Sequence, residues 1–298
     1  MSISDYTPKV RGRGAVENPS GRFEKLGRFS AIEDDFPGED DIEEKQIPTT
    51  VYLDNSKSII STNDSPDLAL DATLNPYRGC EHGCIYCFAR PGHEYLGLSA
   101  GLDFETKIFA KPEAPHLLRK KLMLPSWQST TIIMSGVTDP YQPVEREMRI
   151  TRSCLEVLED FRNPVAIITK NKLVTRDIDL LASLASFNAA LVNMSITTLD
   201  KQLANKMEPR ASSPDMRYKA VEELSKAGVP VNVMIGPVLP GLTDHEIPAI
   251  LKRASEAGPQ SVSYVMLRLP YGVKDLFQSW IEENYPLKAK KVLNESVR

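Results

Sequence analysis

The segment Asn75-Pro-Tyr-Arg-Gly-Cys-Glu-His-Gly-Cys-Ile-Tyr-Cys-Phe-Ala-Arg90 carries three cysteines, Cys80, Cys84 and Cys87, in the spacing C-x3-C-x2-C. A cubane iron–sulfur cluster contains four irons, and four thiolates would ligate all of them. Three thiolates leave one iron without a protein ligand, just as a catalytic metal site keeps one position open for its reactant. The spacing therefore predicts a 4Fe-4S cluster with one open iron.

Two other uses of these cysteines have to be weighed. Disulfides are disfavoured because three of the four cysteines crowd into eight residues, while Cys154 lies far away in the sequence. The first residues lack the apolar region of a signal peptide, so a reducing, cytoplasmic location is expected, where cysteine clusters more often bind metal. A zinc site with His82 as fourth ligand stays as an alternative, although its spacing is tighter than usual.

The bulk composition predicts a soluble enzyme without a membrane segment. The chain has 298 residues, of which 41% are hydrophobic, enough for one large α/β domain. No apolar stretch approaches the length needed to cross a bilayer. The formal charge is −4, from 36 basic and 40 acidic side chains, and this balance offers no global attraction to nucleic acid.

The chain divides into a polar arm and a globular domain. Residues 1–48 carry a basic stretch followed by an acidic one, which predicts an extended, partly disordered arm. Residues 49–298 alternate β-type and helical patterns, which is typical of a parallel sheet with crossover helices. Strands are predicted over 68–74, 130–135, 165–169, 190–197, 229–236 and 261–268. Helices are predicted over 112–124, 145–161, 176–186, 214–227 and 244–257.

Six βα units indicate an α/β fold, a partial (βα)6 barrel open on one side. A further β-like run over 105–110 has no obvious place in this repeat. In α/β barrels the chemistry sits where strands end and loops begin. The first predicted strand leads into the cysteines, and polar residues follow several of the others, so a functional site is expected at this edge of the sheet.

Several long motifs resemble the radical S-adenosylmethionine (SAM) superfamily, and within it the spore photoproduct lyase-like group, in a bacterial branch labelled DNA repair photolyase-like. The matching segments run from Arg11-Gly-Arg-Gly-Ala15 and Ser65-Pro66 through Asn75-Pro-Tyr-Arg-Gly-Cys80, Arg90-Pro-Gly-His-Glu-Tyr-Leu-Gly-Leu98, Gly101-Leu-Asp-Phe-Glu105, Thr138-Asp-Pro-Tyr-Gln-Pro143 and Glu208-Pro-Arg-Ala211 to Leu267-Arg-Leu-Pro270. The resemblance implies a radical SAM barrel in which the cluster's electron cleaves SAM reductively to a 5′-deoxyadenosyl radical.

The resemblance also implies roles for individual residues. Cys80, Cys84 and Cys87 would bind the cluster, and Tyr86 would lie against the adenine of SAM. Thr138 and Asp139 would meet the amino end of the cofactor. Lys170 would pair with its carboxylate. Ser195 would lie near the ribose or methionyl group, and Glu208 and Arg210 are weaker candidates for the same pocket. Each of these residues also has a purely structural interpretation, as a turn, core or solvated side chain.

The chain departs from this group in two respects. Spore photoproduct lyase has a cysteine that returns a hydrogen atom, and the corresponding position here falls on Gly136 or Val137, neither of which can do so. Cys154 lies on the apolar stripe of a predicted helix and is expected to be a buried small hydrophobe. Thymine-dimer repair by the known route is therefore not expected. Relatives continue with a glycine-rich, basic tail beyond the end of this chain, so a truncated C-terminal tail is also expected.

Two classes of function follow from these observations. The first is a lyase-like radical SAM enzyme whose substrate, a small molecule or nucleic acid, is unknown; a nucleobase is suggested by analogy with spore photoproduct lyase. Its partner would be an electron donor such as flavodoxin or ferredoxin. The second is a non-catalytic iron–sulfur or zinc protein with a structural or sensing role.

Overall fold

The computed structural model describes residues 12–23, 47–62 and 72–296. The strands are β1 (Thr50–Leu53), β2 (Ile60–Thr62), β3 (Ala72–Leu74), β4 (Tyr77–Arg78), β5 (Lys107–Ala110), β6 (Ile132–Met134), β7 (Val165–Thr169), β8 (Ala190–Ile196), β9 (Val231–Val238) and β10 (Ser261–Met266). The helices are α1 (Leu102–Thr106), α2 (Ala114–Leu122), α3 (Glu145–Met148), α4 (Ile150–Asp160), α5 (Ile178–Ala185), α6 (Lys201–Met207), α7 (Pro214–Lys226), α8 (Ile247–Ala257), α9 (Val273–Asn284) and α10 (Pro286–Ser296). Short 3-10 segments lie at Arg90–Leu96, Lys172–Asp177 and Asp244–Glu246.

Six parallel strands form the main sheet in the order β3-β6-β7-β8-β9-β10, which is also their order along the chain. The short strand β2 pairs antiparallel with β3 at the other edge. Because each parallel strand is followed by a crossover that returns to the same end of the sheet, all six strands finish at one edge, called the carboxyl edge below. The predicted partial (βα)6 architecture is confirmed.

The two faces of this sheet differ in character. On one face, residues such as Ile132, Ile167 and Val192 are fully buried against the helices in the main hydrophobic core. The opposite face, called the open face below, carries alternate residues of the same strands, including Asn193 and Asn232, which pair in register across β8 and β9. This alternation follows from the period of two in a strand, and it places these polar side chains on the open face together with apolar ones such as Ile168 and Leu191.

The predicted elements differ from the observed ones mainly at their ends. The helix predicted over 145–161 is broken into α3 and α4 by Arg149, whose φ is 52°. Helices α1, α6, α9 and α10 were not predicted, and α1 overlaps the start of the β-like run predicted over 105–110. The residues Val273, Leu276, Phe277, Trp280 and Ile281 of α9 are all buried at helical spacing, so the signal for that helix was present in the sequence.

The β-like run that had no place in the repeat is explained by a second, smaller sheet. Helix α1 passes directly into β5, which pairs parallel with β1 and antiparallel with β4. Strand β4 ends two residues before Cys80, and the Cys80 amide donates to the Phe104 carbonyl over 3.0 Å. The small sheet therefore supports the beginning of the cysteine segment.

Part of the predicted polar arm is described by the structure. Arg13, Gly14 and Ala15 are buried, and the amide nitrogens of Gly14 and Ala15 donate to the Glu105 carboxylate. Residues 1–11 and 24–46 of the arm, together with residues 68–71 of the first predicted strand, lie outside the described residues. Within the described ranges, none of the helices combines the length and apolarity needed to cross a lipid bilayer.

Candidate cofactor site

The three cysteines lie on one loop, residues 80–87, called the cysteine loop below. Cys80 and Cys84 are buried and Cys87 is partly buried; none of them forms a disulfide. Burial raises the pKa of each thiol, and the negative charges of Asp139, Cys84 and Cys87 raise that of Cys80 further. Three neighbouring thiols with raised pKa values need a metal to hold them deprotonated, and soft sulfur donors suit iron–sulfur clusters. The donor set therefore fits the predicted cluster.

His82, the fourth ligand of the zinc alternative, has other partners. Its Nδ1 lies 3.3 Å from Asp139 Oδ2, and its Nε2 lies 3.1 Å from the side-chain nitrogen of Asn171. Both ring nitrogens therefore face protein groups. Among the described residues, no group of three or more His, Cys, Asp and Glu side chains is placed to hold a single metal ion. The ligands of a four-iron cluster each bind a different iron, so they do not converge on one point.

The turn inside the cysteine loop depends on Gly83. Its φ of +66° lies in the left-handed region, and a Cβ at this position would lie 2.6 Å from Glu105 Oε2. Only glycine satisfies both requirements. The glycine between the first two cysteines therefore allows the loop to turn tightly over a buried carboxylate.

A buried network surrounds Tyr86. The Tyr86 hydroxyl donates to Glu208 Oε1 and lies 3.2 Å from Thr197 Oγ1, which itself donates to Glu208 over 2.6 Å. The other carboxylate oxygen of Glu208 accepts from the fully buried Arg217. Burial raises the pKa of Glu208, but the charges of Arg217 and Lys170 and the hydrogen bonds from Thr197 and Tyr86 lower it to about 2. Glu208 is thus ionised at neutral pH beside the cysteine loop.

Lys170 follows β7 at the carboxyl edge and belongs to the same group. Its Nζ donates to the Gly236 carbonyl over 2.9 Å and lies 3.7 Å from Glu208 Oε1. It also lies 5.8 Å from the centre of the Tyr86 ring. An ammonium has three donors, so Lys170 keeps a donor for a ligand after these contacts. The structure thus brings Tyr86, Lys170 and Glu208 together from three distant parts of the chain.

Ser195 differs from Thr197 and Thr198, whose hydroxyls donate to carboxylates, in the surroundings of its hydroxyl. The residue is 3% exposed, and its carbonyl accepts from Arg217 over 3.0 Å. Within the part of the chain that the structure describes, the Ser195 hydroxyl makes no hydrogen bond. Ser195 lies on the same strand face as Asn193, two residues closer to the carboxyl edge, so its hydroxyl belongs to the open face.

The side chains of Thr138 and Asp139 make hydrogen bonds to neighbouring loops of the chain. Thr138 Oγ1 donates to the Gly79 carbonyl over 2.6 Å, just before Cys80. Asp139 accepts from the amides of Tyr141 and Lys170, from the Thr169 hydroxyl and from the His82 ring. Burial raises the pKa of Asp139, but His82 and the other donors outweigh that effect and lower it. These contacts connect the loop after β6 to the cysteine loop, and direct contact of either residue with a cofactor stays a prediction.

Arg210 lies apart from the Tyr86 network. It is paired with Glu81 of the cysteine loop over 3.0 Å, and its amide donates to the His82 carbonyl. Glu81 also accepts from the Thr49 hydroxyl and the Val144 amide. Arg210 therefore holds the cysteine loop in place, and its direct contact with SAM stays a prediction.

Three buried residues of the site were missed in the sequence. Arg217, in the middle of α7, orients Glu208. Arg90 is fully buried and donates to the Cys84 carbonyl over 3.0 Å, and Glu105 accepts from Arg90. The only sequence signal for a buried role of Arg217 was its position on an otherwise apolar face of α7. Arg90 and Glu105 lay within the motifs that carry the resemblance, but no role was predicted for them.

Cys154 is fully buried in α4, with Ile150, Val157 and Leu158 also buried on that helix. The prediction that it is a buried small hydrophobe is confirmed. Burial raises the pKa of its thiol. Val137, at the position compared with the hydrogen-donating cysteine, is 43% exposed.

Three cysteines at the carboxyl edge of a six-stranded partial barrel, beside a buried network of polar side chains, are the arrangement of α/β proteins that hold a metal cluster against an organic cofactor. The sequence profile of the Radical SAM superfamily matches residues 74–254, and the chain belongs to this superfamily. Its members are enzymes that use SAM together with an iron–sulfur cluster. The match begins at Leu74, one residue before the segment that contains the cysteines.

Similar proteins are found in distant organisms. An uncharacterised protein of Mycobacterium bovis is 34% identical over 72% of this chain and 64% of its own length, so the chain spans less than two thirds of that relative. An uncharacterised protein of Methanocaldococcus jannaschii is 28% identical over 75% of this chain and 80% of its own length. A radical SAM Nalpha-GlyT isomerase of Pseudomonas phage M6 is 24% identical over 71% of this chain and 42% of its own length.

Among solved structures, spore photoproduct lyase complexed with dinucleoside spore photoproduct has a similar fold. Its TM-score is 0.55 at 17% sequence identity, over 80% of this chain and 67% of that chain. At this identity the likeness concerns the fold. It agrees with the partial barrel that the strand order shows.

Proposed function

We propose that the protein binds a 4Fe-4S cluster through Cys80, Cys84 and Cys87 and uses it to cleave SAM. The observation that carries this proposal is that three free thiols lie on one loop, two of them buried and one partly buried, while both ring nitrogens of His82 face Asp139 and Asn171. When bound, the cluster supplies the electron that cleaves SAM reductively to methionine and a 5′-deoxyadenosyl radical. The test is production of 5′-deoxyadenosine by anaerobically reconstituted protein with dithionite and SAM. A protein that holds one zinc and makes no nucleoside would instead favour a structural or sensing metal protein.

The residues around Tyr86 would bind the organic part of SAM. Lys170 offers a cation for the carboxylate of SAM, and Ser195 offers a free hydroxyl for its ribose or methionyl group. Arg217 donates to Glu208, and the negative charge of Glu208 attracts the Lys170 ammonium and orients it. The Tyr86 ring would lie against adenine, with its hydroxyl held by Glu208.

Replacing Lys170 with alanine is expected to weaken SAM binding by about 1–3 kcal/mol, the cost of losing a charge-assisted hydrogen bond. Binding of SAM to the reconstituted protein can be measured by anaerobic calorimetry. Lys172→Ala is the matched control, because Lys172 pairs with Glu223 over 2.9 Å, and it should leave the affinity unchanged. Unchanged affinity in Lys170→Ala would remove Lys170 from the pocket.

Replacing Ser195 with alanine should separate binding from folding. Since no hydrogen bond is lost, the free energy of unfolding should change by less than about 0.5 kcal/mol. SAM binding should weaken by about 0.5–1.5 kcal/mol, the usual net value of one hydrogen bond. Ser255→Ala, which removes an exposed hydroxyl bonded to the Lys252 carbonyl, is the control. Loss of stability without loss of affinity would make Ser195 a core residue.

The open face suggests an uncharged substrate with several hydrogen-bonding groups. Asn232 donates to Asn193 over 2.9 Å and to Ser263 over 2.8 Å, and it accepts from Ser261 over 2.9 Å. Such a row of amides and hydroxyls matches a nucleobase, alone or in a nucleoside, better than an apolar or charged group. Thymidine and uridine, added to the reconstituted protein, should therefore change the rate of 5′-deoxyadenosine production. The electron donor is proposed to be a flavodoxin or a ferredoxin.

A further inference from the structure

The segment Arg13–Ala15, called the N-terminal clamp below, lies against the cysteine loop although some 65 or more residues separate them in the chain. The amide of Gly14 donates to Glu105 Oε2 over 2.9 Å, and the amide of Ala15 donates to Glu105 Oε1 over 2.8 Å. The guanidinium of Arg13 donates to the Glu105 carbonyl over 2.8 Å. All three residues of the clamp therefore bind one buried acidic residue.

Glu105 connects the clamp to Cys84 through Arg90. Its carboxylate is fully buried and accepts from the fully buried Arg90, whose Nε donates to the Cys84 carbonyl over 3.0 Å. Removing one partner of a buried ion pair leaves an uncompensated charge, so this chain of contacts has a large energetic effect on the loop. The backbone of the second cysteine is thus held from the N-terminal clamp through two charged side chains.

The clamp also touches the loop directly. A Cβ at Gly14 would lie 1.8 Å from the Gly83 carbonyl oxygen, so no other residue fits without moving the loop. Gly83 lies immediately before Cys84. Gly14, the second glycine of Arg11-Gly-Arg-Gly-Ala15, is therefore required because a larger residue would collide with the cysteine loop.

A second connection runs to the start of the loop. Arg13 donates to the Thr49 hydroxyl over 3.0 Å, and that hydroxyl donates to Glu81 over 2.7 Å. Glu81 follows Cys80 directly. The clamp thus reaches the neighbours of two of the three cysteines by separate routes.

We propose that the N-terminal clamp, acting through Glu105 and Arg90, positions the cysteine loop so that its three sulfurs hold the cluster in one fixed arrangement. The inference rests on the proposed ligation of a cluster by these cysteines. The clamp residues are positioning residues, because they touch the loop and not the reacting atoms. Cluster ligands need such supporting contacts, since hydrogen bonding and local charge around the sulfurs tune the cluster.

The test compares Gly14→Ala and Glu105→Gln with the wild-type protein after anaerobic reconstitution. Both variants are expected to lose iron to a chelator about tenfold faster and to show an altered electron paramagnetic resonance signal in the reduced state. Gly92→Ala and Glu113→Gln are matched controls, because Gly92 has open space around it and Glu113 is exposed. Both controls should behave like the wild type.

Circular dichroism of the apoproteins separates loss of the fold from loss of the cluster. If Gly14→Ala does not fold, the nearly isosteric Glu105→Gln decides. Folded variants with the wild-type chelation rate and resonance signal would overturn the role of the clamp. A wild-type protein that takes up no cluster would instead overturn the proposed function, and with it the basis of this inference.

Discussion

Cys84→Ala is expected to abolish production of 5′-deoxyadenosine and to reduce bound iron and sulfide to background after reconstitution. Cys84 is buried, its carbonyl is held by Arg90, and it lies between the other two thiols in the loop. Two remaining thiolates cannot hold a cubane that already has one open iron. Iron and sulfide analysis, the visible absorption of the cluster and chromatographic detection of the nucleoside measure the outcome.

Cys154→Ala is the control for that experiment, because its thiol is fully buried in α4. It should keep both the cluster and the cleavage of SAM. A Cys84→Ala variant that still makes the nucleoside at the wild-type rate would contradict the assignment of the three ligands.

Glu208→Gln is expected to lower the free energy of unfolding by about 3–5 kcal/mol, because it leaves Arg217 buried without a counter-charge. The pKa of Glu208 is lowered from 4.5 to about 2 in the folded protein. The ionised carboxylate therefore contributes stability above about pH 4.5 that is lost as the pH falls toward 2. The shift corresponds to about 3 kcal/mol.

Urea denaturation between pH 2 and pH 7 tests this prediction. The wild-type protein should lose stability steeply below about pH 4.5, and Glu208→Gln should show a flatter dependence. Glu223→Gln removes a partly exposed pair with Lys172 and should cost no more than about 1 kcal/mol. An equal effect of the two substitutions would show that the Glu208–Arg217 pair does not hold the pocket together.

The sequence allowed the repeated units of the barrel to be found because each strand and helix has its own local period. The six parallel strands lie side by side in chain order, as a partial (βα)6 barrel requires, and the cysteine loop follows the first of them. The ends of elements were less well predicted. The break at Arg149 depends on a left-handed backbone conformation. The place of β5 in the fold depends on its pairing with β1 and β4, which periodicity does not reveal.

In the candidate site, too, the sequence indicated individual residues but not their partners. Tyr86, Lys170 and Glu208 were selected through a resemblance, and the structure brings them together. Arg210 was selected with them but pairs with Glu81, and Thr138 and Asp139 bind the surrounding loops. Their partners could not be predicted because each hydrogen bond joins segments that are far apart in the chain.

By itself the sequence predicted the kind of cofactor and determined the succession of βα units, because metal-ligand spacing and hydrophobic periodicity both lie in short stretches of chain. Only the tertiary structure decided which buried charges compensate one another: Arg217 with Glu208, and Arg90 with Glu105. A buried charge needs a partner in space, and the folded chain supplies that partner from any distance along the sequence.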